Sequence, residues 1–551
     1  MSQQVKIIGR GTWLDRVASE VVERDRSLGR DLSLIRVESG LGASGLPHIG
    51  SVGDAIRSYG VKMALEGLGY KSELIAFSDD LDGFRKVPAG FPDWLNDYIA
   101  HPVTRVPDPF DCHKSFGEHV GSLLRASLDQ LGIEYTFLSG AEVYKKGLLN
   151  EQIKIILENA EVVGNKIKEL TGQEKYQSVF PYTPICQNCG RLYTTKVTSY
   201  DAARAVVHYK CGTAQIRDKL IQGCGFEGER SITEGEGKLA WKSEFAARWV
   251  ALDIRFEAYG KDIADSVKVN DWICENVLKH PPPYHAAYEM FQDKAGRKIA
   301  KSVGNVLAPQ EWLTYASPAS LRLLMFKRIV GARNISVDDV PTYMDELDEL
   351  EASYFSRERD PNAMKDARLR GLYEYSMLTQ VPPGPDVHVP YRQVAELALM
   401  APEGAVEEFV TKRLIANGAV KEASQGLATR IGWAARWALD ADLRVDRTSE
   451  KGPVVQVAAQ DWDEKTVASL RAFSEALPRA ETPDEIQGAA FGAIRSSGAE
   501  PGKFFSAIYQ ILLGTERGPR LGPYITDAGR EVVARKITGA LDAKQLGMKK
   551  E

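Results

Sequence analysis

Ser39-Gly40-Leu41-Gly42-Ala43-Ser44-Gly45-Leu46-Pro47-His48-Ile49-Gly50-Ser51 joins two stretches of different periodicity. Before it, Leu32-Ser33-Leu34-Ile35-Arg36-Val37 is a short apolar run that predicts a buried strand. After it, Ile49, Val52, Ile56, Tyr59 and Met63 recur at three- and four-residue steps, the spacing of one helix face. Glu73 to Ser78 supplies the next strand and completes a β-α-β unit. A loop of small residues then opens at the carboxyl end of a parallel sheet, where such folds keep their ligands. Free N–H groups at the start of the following helix favour an anion. Gly40, Gly42 and Gly45 are expected to let the chain bend and a ligand approach closely. Ser44, Gly50 and Ser51 line the same turn, and His48 is placed to donate a hydrogen bond to a phosphate.

The stretch matches neither the dinucleotide fingerprint Gly-x-Gly-x-x-Gly nor the phosphate loop Gly-x-x-x-x-Gly-Lys-Ser/Thr. Its counterpart lies far downstream, in Lys298-Ile299-Ala300-Lys301-Ser302-Val303-Gly304-Asn305. Two lysines and a serine in a glycine-containing loop can follow the charge that builds on a triphosphate as it is cleaved. The pair resembles the two signatures of class I aminoacyl-tRNA synthetases. Against the usual Lys-Met-Ser-Lys-Ser form, Ile299 and Ala300 replace Met and the first Ser, while Lys298, Lys301 and Ser302 keep the cationic and hydroxyl atoms.

Asp79-Asp80-Leu81-Asp82-Gly83-Phe84-Arg85-Lys86-Val87-Pro88 follows the second strand. Read alone, its acids are either a solvated turn or a carboxylate site for a cation, Mg²⁺ or a substrate ammonium. The string closely resembles a hallmark of class I lysyl-tRNA synthetases, and the resemblance continues through Val106 to Phe110, Ser115 to His119 and Glu142 to Gly147. It implies lysine as the amino acid, since burying an unpaired ammonium is expensive and acids must meet it. On this likeness Asp79 and Asp80 would receive the ammonium, with Gly40 and Trp241 shaping the pocket. Ile263 follows Gly260-Lys261-Asp262, where that family usually has histidine.

Cys186-Gln187-Asn188-Cys189 is a thiolate knuckle, followed by Cys211 and Cys224. Four thiolates suit a structural Zn²⁺. The twelve residues between Cys211 and Cys224 are wide for a ribbon, so four free thiols, or His208 as a substitute ligand, stay open. Six cysteines in 551 residues are too few for a disulfide scaffold, and with no apolar leader or membrane-length run a cytoplasmic protein is expected.

At 551 residues several domains are expected. A net charge of −5 argues against a general nucleic-acid coat, although tRNA needs only a local basic face. The resemblance implies a Rossmann-type α/β parallel-sheet catalytic domain with a zinc-ribbon-like insertion. Residues 1–180 and 236–330 would be its two halves and 181–235 the insertion. From 331 to 551, amphipathic patterns at Glu346–Phe355, Val394–Ala401, Val406–Ala416, Ala423–Leu439, Thr466–Leu477 and Glu485–Arg495 predict an all-α bundle, which the resemblance implies is the anticodon-binding region.

The implied activity is lysine–tRNA ligation, with ATP and Mg²⁺, on L-lysine and tRNA(Lys), with no DNA or membrane partner. Gly42, Ser44, His48, Gly50, Ser51, Lys298 and Lys301 would bind ATP, and His48, Lys298, Lys301 and Ser302 would assist catalysis. Two alternatives are a lysyl-adenylating ligase for a non-tRNA acceptor and a catalytically silent RNA-binding homologue.

Overall fold

The computed structural model describes residues 7–43, 45–174, 179–293, 307–399, 401, 404–448, 462–513 and 520–547. It divides into two compact units, the first comprising 1–311, 318–337 and 356–381 and the second 312–317, 338–355 and 382–551.

The first unit opens on α1 (Trp13–Ser27), started by Thr12, whose N–H and hydroxyl both donate to Asp15 Oδ2 at 3.0 and 2.7 Å. Next come β1 (Ile35–Leu41), α2 (Ile49–Gly67), β2 (Ser72–Ser78), α3 (Phe116–Gln130), β3 (Thr136–Ser139), α4 (Gly140–Lys145), α5 (Asn150–Glu158) and α6 (Ala160–Thr171). After an insertion follow α7 (Trp241–Ala251), β11 (Ile254–Gly260), α8 (Ala264–Asn276) and β12 (Tyr284–Tyr288). The insertion carries β4 (Tyr182–Pro184), β5 (Thr195–Asp201), β6 (Val206–Cys211), β7 (Ala214–Ile216), β8 (Lys219–Ile221), β9 (Glu227–Ser231) and β10 (Gly237–Leu239).

The central sheet has the order β12-β11-β1-β2-β3, every neighbouring pair parallel. This is the doubly wound arrangement, and its strand order reverses between β1 and β11, the point at which such sheets bind their ligands. β1 and β2 are buried almost throughout, as strands covered on both faces must be. Gly60 brings α2 close, since a Cβ there would stand 2.7 Å from the Phe326 ring and 2.8 Å from Leu14. Beyond β12, β13 (Phe291–Gln292) pairs with β14 (Arg333–Asn334). α10 (Pro318–Phe326) and α12 (Ala363–Ser376) complete the unit. In the insertion, β5, β6 and β9 form an antiparallel sheet, β7 and β8 a hairpin, and β10 pairs with β4 at its base.

The second unit is helical. α9 (Pro309–Tyr315) ends in it, and α11 (Val340–Phe355), α13 (Tyr391–Leu399), α14 (Val406–Ala416), α15 (Gln425–Thr448), α16 (Glu464–Ala476), α17 (Pro483–Ser497), α18 (Pro501–Leu513), α19 (Leu521–Ala528) and α20 (Arg530–Gly547) follow. Its core joins Leu470, Phe473, Ile486, Phe504, Ile508 and Ile537. Arg430 ties α11 to α15 through Asp345 at 3.0 Å and Asp348 at 2.6 Å. The change of character read at residue 330 is therefore not one cut, because 318–337 and 356–381 belong with the sheet. Among the described residues no helix is long and apolar enough to cross a membrane.

Candidate active site

At the reversal point the chain differs from the bend expected at Ser39. β1 runs on through Ser39, Gly40 and Leu41, and none of Gly40, Gly42 and Gly50 takes a positive φ. Their use is space rather than flexibility. A Cβ on Gly42 would meet nothing within 4 Å, and one on Gly40 would stand 3.9 Å from Asp79 Oδ2. At Gly50 a Cβ would lie 2.9 Å from the His48 ring, so glycine is what lets the imidazole fold over the helix start. His48 is the N-cap of α2, and its N–H donates to Ser51 Oγ at 3.2 Å. Ile49 N–H donates to Leu307 O at 2.8 Å, which ties this helix start to the chain just after the lysine-rich stretch. Ser44, Lys298, Lys301 and Ser302 lie outside the described residues.

Beside this turn stands a buried acid cluster. Asp79, Asp80 and Asp82 are each at most 8% exposed, which rules out the solvated turn. Each meets a different partner. Asp79 Oδ1 faces Arg248 Nη1 at 3.2 Å, while Asp80 Oδ1 accepts Ala141 N–H at 2.8 Å, at the N-terminus of α4. Asp82 pairs with Lys238, accepts the Trp241 indole N–H at 3.3 Å, and lies 3.5 Å from Arg85.

Two further acids come from the strands themselves. Arg248 reaches Glu38 of β1 at 2.5 Å and Glu257 of β11 at 3.5 Å, with its guanidinium 4.4 Å over the Phe77 ring. Lys238 also contacts Glu244 at 2.9 Å, and Glu244 accepts the Tyr144 hydroxyl at 2.8 Å.

Among the described residues, Glu38, Asp79, Asp80, Asp82, Glu244 and Glu257 are thus buried together against two buried cations, Lys238 and Arg248. Burial pushes Asp79 up to about 7, opposed by Arg248 and aided by the Asp82 charge, and holds Glu38 well above the usual carboxylate range. Such a cluster is short of positive charge, so it is suited to an incoming ammonium.

Sequence reasoning placed Asp79, Asp80, Gly40 and Trp241 together, and the structure brings them to one corner. It missed Glu38, Lys238, Glu244, Arg248 and Glu257. The legible signal was charge inside strand and helix patterns that are otherwise apolar, as in Ile254-Arg255-Phe256-Glu257. Ile263 packs on the same apolar cluster as Trp241 and Tyr259. His285 is held by Asp271 at 2.9 Å and His280 by Pro281 O at 2.9 Å.

In the insertion the four thiols converge. Cys186 and Cys224 sulfurs are 3.6 Å apart, Cys189 and Cys211 sulfurs 3.7 Å, and all four lie within 4.8 Å of one another. Four thiolates at ~2.3 Å from one tetrahedral ion would stand about 3.8 Å apart, so the set fits Zn²⁺. The β7–β8 hairpin fills the wide gap between Cys211 and Cys224. His208 lies on β6 beside Glu229 at 3.9 Å and is not one of the converging groups.

A second set escaped the sequence reading. Ligand atoms of Asp108, Cys112, His113 and His119 also lie within 4.8 Å of one another, with Cys112 Sγ 3.1 Å from His113 Nδ1 and 3.2 Å from His119 Nδ1. These are metal-ligand types.

The model of the family described as tRNA synthetases class I (K) matches residues 11–379. A lysine–tRNA ligase of Cenarchaeum symbiosum is 47% identical over 534 residues, covering 97% of this chain and 99% of that protein. A lysine–tRNA ligase of Halobacterium salinarum is 30% identical, covering 96% of this chain and 97% of that protein. One of Roseobacter denitrificans is also 30% identical, covering 97% of each.

Proposed function

The chain belongs to the class I tRNA synthetase (K) family, and from that premise we infer that it joins L-lysine to tRNA(Lys) at the expense of ATP. The observation that carries the choice of lysine is the buried cluster of six carboxylates facing two buried cations at the sheet's reversal point.

In the first step a lysine carboxylate oxygen attacks the α-phosphorus of ATP, the bond to the β-phosphate oxygen breaks, and lysyl-adenylate and pyrophosphate result. Positioning and electrostatics carry most of such a transfer. ATP lies over the start of α2, where Gly42 leaves room, and His48 donates to its phosphates. Lys298, Lys301 and Ser302 follow the departing pyrophosphate, whose charge Mg²⁺ bound with ATP would help to neutralise. In the second step the terminal adenosine 2′-hydroxyl attacks the lysyl carbonyl and AMP leaves.

We assign the substrate ammonium to Asp79 rather than Asp80. Asp80 Oδ1 is engaged by the α4 amide and Asp82 by Lys238, whereas Asp79 Oδ2 faces the open side of Gly40. Trp241, tethered to Asp82, walls the pocket. The four thiols hold a structural Zn²⁺, the Asp108 set offers a second metal site, and the helical unit reads the anticodon. Cysteines outside disulfides, four of them in a thiolate set for a metal, suit a cytoplasmic setting.

ATP–pyrophosphate exchange with each of the twenty amino acids, then charging of a tRNA(Lys) transcript, tests this reading. Exchange with lysine but no charging would point to a non-tRNA acceptor, and no exchange to a silent homologue.

A further inference from the structure

A cavity of about 440 Å³ opens in the first unit between the start of α1, the segment after α10 and one side of α12. Its walls are locked together. The Trp13 indole N–H donates to Phe326 O at 2.7 Å, and the Tyr375 hydroxyl donates to Asp15 Oδ1 at 2.6 Å. Gly11 sits at φ +77°, with the place of a Cβ 3.0 Å from Ala367 Cβ, and at Gly371 a Cβ would collide with Arg10 O at 2.4 Å. Only glycine allows α12 to dock this closely. The cavity is therefore part of the fold.

Its charge is one-sided. Arg16, Lys327, Arg328 and Arg368 line it and no carboxylate does, in a chain whose net charge is −5. Arg16 lies 3.9 Å from Glu20, between side chains 62% and 40% exposed, a pair worth little in water. Trp13, Ile329 and Leu372 add an apolar floor. The volume falls in the roughly 300–1,000 Å³ range of small-ligand sites. Cations above an apolar, partly aromatic floor match an unstacked nucleotide: Arg takes the phosphate by paired N–H donors, and the base lies against the ring or a guanidinium plane.

We propose that this cavity seats one unstacked nucleotide of the tRNA, its phosphate held by Arg328 and Arg368 and its base on the Trp13 floor. The proposal rests on the lysine–tRNA ligase reading for the identity of the polynucleotide.

The test uses the full chain with Arg328→Ala and Arg368→Ala combined. Both side chains are exposed, so the fold should persist. Two quantities are read: tRNA(Lys) affinity by fluorescence anisotropy across a salt series, and lysine-dependent pyrophosphate exchange without tRNA. The expected result is about a tenfold weaker Kd at low salt and a salt slope shallower by about one to two, with exchange unchanged. Affinity and slope equal to those of the parent would overturn the proposal. If the double variant loses exchange as well, Arg328→Lys with Arg368→Lys decides: recovered tRNA affinity supports the site and continued loss refutes it. Displacement of tRNA by millimolar AMP in the parent would reassign the cavity to free nucleotides and also overturn it. Because binding is measured without catalysis, a parent chain lacking lysine exchange would refute the assigned reaction while leaving the cavity test readable.

Discussion

Asp79, Asp80 and Asp82 occupy three of four consecutive positions, yet each meets different company. Asp79→Asn keeps the shape and removes the charge. It is expected to raise the KM for lysine on the order of a hundredfold in pyrophosphate exchange, with the KM for ATP little changed, as for loss of a charge-assisted partner. Asp80→Asn should chiefly loosen α4, seen as a lower Tm with a nearly normal KM for lysine. The pH dependence has a definite sign. Burial raises Asp79 to about 7, so its contribution to stability is complete below its unfolded value and is lost between about pH 4 and 7. The same rise in pH creates the carboxylate that an ammonium needs. Lysine affinity measured by calorimetry should therefore improve up to about tenfold per unit below pH 7 and level off above it, and Asp79→Asn should flatten that profile.

At the scale of elements, β1, α2 and β2 were legible because apolar runs and helix-face spacing are local properties. The end of β1 was misread because glycines suggest turns, whereas here pairing with β2 continues through Gly40 opposite Phe77 and Leu41 opposite Ser78. Gly40→Ala should leave the fold intact and raise the KM for lysine severalfold, since the added methyl would enter the space before Asp79 Oδ2. The thiol knuckle was legible as a spacing, but not its closure, which depends on the β7–β8 hairpin bringing Cys224 back to Cys211. Cys189→Ser should lower bound zinc, measured by atomic emission after dialysis, and lower the Tm. Full zinc content in that variant would refute the four-thiol site. The Asp108, Cys112, His113 and His119 cluster went unread because its ligand types are mixed, and only the fold shows that they converge.

At the scale of the molecule, sheet order was beyond a reading of patterns. β11 lies far downstream of β1 in sequence, and only the packed structure sets Glu257 opposite Glu38. That adjacency makes Arg248 the hub of three acids, and breaking a buried pair by removing one partner costs about 3–5 kcal/mol. Arg248→Met should therefore destabilise the chain by several kcal/mol in urea unfolding and abolish lysine activation. In the helical second unit α11 and α13 to α17 were legible from apolar spacing, whereas α18, α19 and α20 were not marked as helices. What the pattern did not carry was how the chain divides between the units around residues 312–381.

The most direct measurement is lysine-dependent ATP–pyrophosphate exchange by the parent chain and by Asp79→Asn, alongside the other nineteen amino acids. The expected result is exchange with lysine above all others in the parent, with loss of lysine affinity in the variant and ATP affinity retained. Equal exchange with an uncharged amino acid, or a variant that binds lysine as tightly as the parent, would contradict an acid pocket that selects an ammonium.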